Sequence, residues 1–117
     1  MILTNTRVLI LVALSIAPVT SLAVGVGFIE TIQAPDERPC YFFKLKGVQE
    51  ASPVVKGSPW FAVAKTHQGY KEIVATVLTA FALKKQVYIG TTGAIAASCE
   101  HAEVSYVRVE DEPVEPN

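Results

Sequence analysis

A mainly β domain with one helix, in the order β-β-β-α-β-β, is predicted by three features of this 117-residue sequence. Five short runs alternate apolar with polar residues and are bounded by loops rich in Pro, Gly and charge, the pattern of strands. One stretch, "YKEIVATVLTAFALKK" at 70–85, instead repeats its apolar residues every three or four positions, as an amphipathic helix does. It falls between the third run and the fourth.

The segment "MILTNTRVLILVALSIAPVTSLA" at 1–23 has the three parts of a secretory signal peptide: Arg7 for the positive region, an apolar run from Val8 to Val19, and the small-x-small site Ser21-Leu22-Ala23. Interrupted by Ser15 and Pro18, the apolar run is about a dozen residues and falls short of the roughly 20 that span a bilayer. Cleavage after Ala23 is expected, which makes the protein secreted or periplasmic, with no membrane span. Residues 24–110 then form one domain with one modest core, followed by an acidic tail at 111–117 that is expected to be flexible. Removing Arg7 from the ten basic residues leaves nine against eleven acidic ones, a net charge near −2. No broad positive field draws such a chain to nucleic acid or to anionic lipid.

Each element follows from its own pattern. In "VGVGFIETIQ" at 24–33, Val24, Val26, Phe28, Glu30 and Ile32 share one side of a strand, and Gly25 and Gly27 fall on the other. "PDERP" ends it with two prolines and charge. "CYFFKLKGV" at 40–48 sends Tyr41, Phe43 and Leu45 to the core, while its other side reaches water beyond Phe42 through Lys44 and Lys46. "WFAVAK" at 60–65 reads as the third strand. The helix has Tyr70, Ile73, Val74, Val77, Leu78 and Phe81 as its inner stripe, and Lys84 and Lys85 in its last turn, where cations suit the free carbonyls. "QVYIGTTG" at 86–93 is the fourth strand, "AIAASCEH" a loop and "AEVSYVRVE" at 102–110 the fifth strand. Five strands with a helix between the third and fourth is the order of the OB fold, a small barrel plugged by that helix. A five-stranded sheet with the helix across one face has the same order.

Cys40 and Cys99 make an even count in an exported chain, which reads as a disulfide. Closing a loop of about 60 residues, it would stabilise the fold by roughly 4 kcal/mol in the chain-entropy model. The competing reading is a catalytic thiol with His101, two residues on and on the same side of an extended chain. A zinc site from two cysteines and two histidines lacks any CxxC or HxxxH spacing, so no metal or other cofactor is expected.

Other motifs weigh towards structure rather than catalysis. "VGVGF" has two glycines at dinucleotide-loop spacing but neither the third glycine nor a following helix. "GTTG" at 90–93 lacks the Lys-Ser/Thr ending of a phosphate cradle. No carboxylate pair sits in an apolar surround, so an enzyme is not expected. Trp60, with Lys65 and His67 after it, is the candidate ligand-binding group, since indole stacks on sugar faces and imidazole bonds to hydroxyls. The alternatives are a core tryptophan and a capping or surface histidine.

The helix raises a separate question, because eleven uncharged residues lie between Glu72 and Lys84. Its outer face, with Ala75, Thr76, Thr79, Ala82 and Leu83, is small and uncharged where a solvated helix carries Lys, Glu and Arg. Either this is a poorly charged surface, or copies of the chain bring these faces together as a homo-oligomer.

Tyr41-Phe42, Tyr70-Lys71-Glu72 and Val87-Tyr88-Ile89, with an ungapped helix-to-strand spacing, resemble the B subunits of subtilase cytotoxin and typhoid toxin. The likeness covers about residues 27–109 in element order. It implies a pentameric ring whose helices line a pore, a glycan receptor and an enzymatic A subunit as partner. That family's cysteine after the "YF" pair is Phe43 here, and its glycan-contacting segment precedes the first strand, so no glycan-binding residue is carried over. The expectation is an exported, non-enzymatic binding module that forms a homo-oligomer and takes a glycan or a partner protein. The alternative is a monomeric envelope protein of structural or inhibitory role.

Overall fold

The first strand, β1 (Val24–Gln33), is long enough to serve two neighbours, and this is what closes the sheet on itself. The computed structural model describes residues 24–35 and 37–111, so the segment expected to be a signal peptide and the tail beyond Asp111 lie outside the described residues. β1 pairs through Val24 to Phe28 with β4 (Gln86–Ile95), and from Ile29 to Gln33 with β2 (Cys40–Leu45). A register irregularity between Ile29 and Thr31 supplies the extra bend that such a strand needs. β2 continues antiparallel to β3 (Phe61–Ala64), and β4 to β5 (Ala102–Glu110). A short parallel seam, Phe61 to Ala102 and Ala62 to Glu103, joins β3 to β5 and completes a closed barrel in the order β1-β2-β3-β5-β4. The OB-fold-like barrel expected from the order of elements is therefore present, and the open-sheet arrangement is not.

Phe43 and Phe61 stack at 5.3 Å in the centre of the core, among Leu45, Val63, Val87, Ile89 and Val104, all fully buried. Their bulk explains β1, whose inner side is the opposite of the one its larger residues occupy. Gly25, Gly27 and Ile29 are buried, while Phe28 and Glu30 are exposed. A Cβ on Gly25 would stand 2.7 Å from Cζ of Phe61 and 3.3 Å from a methyl of Leu45, so large neighbours take the space the glycines leave.

The helix α1 (Tyr70–Leu83) packs against β5, β1, β3 and β4. It buries Ile73, Val77 and Ala80, with Tyr70 and Val74 half-covered beside them. Leu78 and Phe81, expected in the inner stripe, are 48% and 45% exposed. At 100° per residue Ile73, Val77 and Ala80 span a narrow arc, and the small Ala80 lets the end of the helix approach the barrel closely. The two larger side chains are left on the flank. Lys84 is not in the last turn but caps it in the left-handed conformation, φ 56°, and Phe81 O and Ala80 O accept from the amides of Lys84 and Lys85.

A second, smaller cluster lies outside the barrel. Cys40, Phe42 and Ala62 on the outer side of β2 and β3 are covered by Ala96 and Cys99 of the loop 96–101. The disulfide Cys40–Cys99 joins the two layers, with Cα atoms 6.4 Å apart.

Candidate functional site

Of the three residues proposed from the sequence to hold a ligand, His67 lines a groove with polar neighbours. The groove, about 590 Å³, runs between β5 and the start of α1. His67 and Gln68 come from the turn before the helix, Glu72 and Thr76 from its first turns, and Ser105 and Tyr106 from β5. His67 Nδ1 accepts from the Gly69 amide at 2.9 Å, which puts the neutral ring's proton on Nε2 and leaves that atom to donate. Thr76 Oγ1 donates to Glu72 O at 2.8 Å, so towards the groove it acts as an acceptor.

Tyr106 forms one wall, and its position follows from a glycine. Gly90 lies opposite it in the β4–β5 ladder, and a Cβ there would fall on Cε1, Cζ and Cδ1 of the phenol ring. The ring thus rests on bare backbone on one face, and Tyr106 as a residue is 41% exposed. Tyr88 stacks near it at 6.2 Å, and the Arg108 guanidinium lies 4.3 Å from the Tyr88 ring while bonding Glu110 Oε1 at 2.6 Å. An open aromatic face beside hydroxyls, an amide, an imidazole and a carboxylate can take a ring with one apolar side and a polar edge. Tyr106 was missed because position alone marks it as an ordinary outward strand residue. The available signal was Gly90, since a glycine inside a strand often marks close approach by another group.

Trp60 stands elsewhere, half-buried just before β3 and packed on the outer cluster. The Lys44 ammonium sits 5.2 Å from its ring centre and pairs with Glu30 at 3.5 Å. Lys65 is exposed, and its amide donates to Pro39 O at 2.8 Å. The structure does not bring Trp60, Lys65 and His67 into one site.

The thiol–imidazole alternative fails because Cys99 is in the disulfide. His101 Nδ1 is instead 2.8 Å from Ser58 Oγ, whose oxygen also accepts from the Trp60 amide at 3.3 Å. Edge contact with Phe42 at 5.4 Å completes its surroundings. Burial, and secondarily Arg38, lowers its pKa from the usual histidine value, against a smaller raising effect of Glu100. The pair ties the loop 96–101 to the loop before β3. Among the described residues no three His, Cys, Asp or Glu side chains converge as metal ligands, and no helix is long and apolar enough to cross a membrane.

The face expected to meet another copy is accessible: Ala75, Thr79, Ala82 and Leu83 are exposed and Thr76 is half-exposed. Thr79 Oγ1 donates to Ala75 O at 2.8 Å, as Thr76 does one turn earlier, so both hydroxyl protons are used within the helix. Leu83 is 62% exposed, and Leu78 and Phe81 extend the apolar surface along the flank. No known protein family, characterised protein or solved structure gives a significant match to this chain.

Proposed function

We propose that the chain is an exported, non-enzymatic binding module that holds a neutral sugar ring against Tyr106 and assembles with copies of itself along α1. The exposed Tyr106 ring, fixed on Gly90 at the edge of a polar groove, carries the ligand reading. The C–H face of a pyranose stacks on such a ring, and its hydroxyls pair with Gln68, Glu72 and Ser105. Glu72 adds a negative charge to the groove, which favours a neutral sugar over an acidic one. The disulfide is compatible with an oxidising compartment outside the cytoplasm. Assembly is supported by the apolar outer side of α1, and a monomeric envelope protein is the reading opposed to it. The residues likened to toxin B subunits lead to the same proposal, with an enzymatic A subunit as the further partner.

Screening the mature protein on an array of neutral and acidic glycans tests this. Tyr106→Ala and Gly90→Ala should each lose binding at least tenfold with native circular dichroism, the second by lifting the ring off its seat. Trp60→Ala, if folded, should bind as wild type. A wild type silent on every glycan, or full binding by Tyr106→Ala, would turn the proposal towards a protein ligand.

A further inference from the structure

A cleft of about 650 Å³ opens between β1 and the last turn of α1, on a different part of the surface from the Tyr106 groove. Buried Ile29 and Ala80 lie at its base, and the exposed rings of Phe28 and Phe81 line it. Its volume lies within the roughly 300–1,000 Å³ typical of small-molecule sites, which combine apolar walls with a few polar groups.

The polar groups here are Glu30, Lys46 and Lys84. Glu30 pairs with Lys44 at 3.5 Å, whereas Lys46 and Lys84 have no ion pair among the described residues. Of the four terminal carbonyls of α1, those of Ala80 and Phe81 accept from the Lys85 and Lys84 amides, and the two lysine charges must outweigh the negative helix end that remains. We propose that this cleft binds a long-chain carboxylate, its alkyl chain between Phe28 and Phe81 and its headgroup at Lys46 and Lys84. A single amphiphile fits better than an anionic bilayer, because the site is concave and the formal charge of the whole chain is −1.

Calorimetric titration of the mature, disulfide-bonded protein with octanoate, decanoate and dodecanoate, all below micelle formation, tests the inference. Affinity should rise roughly tenfold for each two methylenes added until the cleft is full. Decanol and decyltrimethylammonium should bind at least tenfold more weakly than decanoate. The double variant Lys46→Gln/Lys84→Gln should lose tenfold or more for decanoate and keep its affinity for decanol. The same titrations on Thr79→Glu, the variant designed to keep a second copy off α1, separate this site from the proposed assembly. Equal binding of the three ten-carbon headgroups, no chain-length dependence, or no decanoate binding by either wild type or Thr79→Glu would overturn it.

Discussion

Tyr41 places a phenol in the core, and its hydroxyl has no hydrogen-bond partner among the described residues. Burial, with the nearby Tyr70 as a smaller cause, pushes its pKa up to about 12. An unpartnered buried hydroxyl costs about 1–3 kcal/mol, so Tyr41→Phe should leave stability unchanged or raise it by about 1 kcal/mol. The sign of the pH dependence follows from linkage. Since the folded-state pKa lies above the unfolded value of 10.0, this group leaves stability independent of pH below 10 and lowers it as pH rises from 10 towards 12, where the unfolded state loses the proton more readily. Urea unfolding of wild type and Tyr41→Phe at pH 8 and at pH 11 measures this, and the wild type should lose more stability between them. An equal loss in both proteins would show that another group governs alkaline unfolding.

The loop 96–101 folds back over β2 and β3 because several local devices agree. Ala96 N–H donates to His101 O at 2.8 Å and Cys99 N–H to Ala96 O at 3.0 Å, which makes the loop a compact turn. Ser98 and Glu100, on either side of Cys99, both have left-handed backbones, φ 67° and 61°, a conformation unfavourable for side-chain-bearing residues. The disulfide and the burial of Phe42, 3% exposed, hold that turn in place. Cys40→Ser/Cys99→Ser should therefore lower stability by about 2–5 kcal/mol. It should also make this loop the first site of limited proteolysis, read by mass spectrometry, because the turn loses its tether. Cleavage at the same sites and rates as wild type would mean that Phe42 packing alone retains the loop.

Assembly is a property of the whole molecule and rests on one substitution. If the outer side of α1 meets another copy, Thr79→Glu brings like charges from each subunit into a shared, partly dry space, and repulsion and desolvation break the contact. On a merely wet helix the change stays within about 0.5 kcal/mol, since Glu is a good helix former. Thr79 is exposed, so the substitution tests the surface without opening the core. Light scattering should give an oligomer for the mature wild type and a folded monomer for Thr79→Glu. A wild type already monomeric at micromolar concentration would remove the oligomer, and with it most of the likeness to toxin B subunits.

Element type and order were legible in the sequence because they depend on local periodicity: β1 and β5 begin and end where alternation predicts, and α1 occupies the one stretch with a helical period. The disulfide was legible too, since a chain with two cysteines has one possible internal pairing. Which side of an element faces inward was decided only by tertiary packing. In β1 the glycine side turns in because Phe61 and Leu45 fill the space, and in α1 the small Ala80 displaces Phe81 from the core. Barrel closure likewise depends on the short β3–β5 seam, which joins segments about forty residues apart. The candidate groove has the same origin, for Tyr106 and His67 become neighbours only when β5 packs against the start of α1, and no local pattern records that contact.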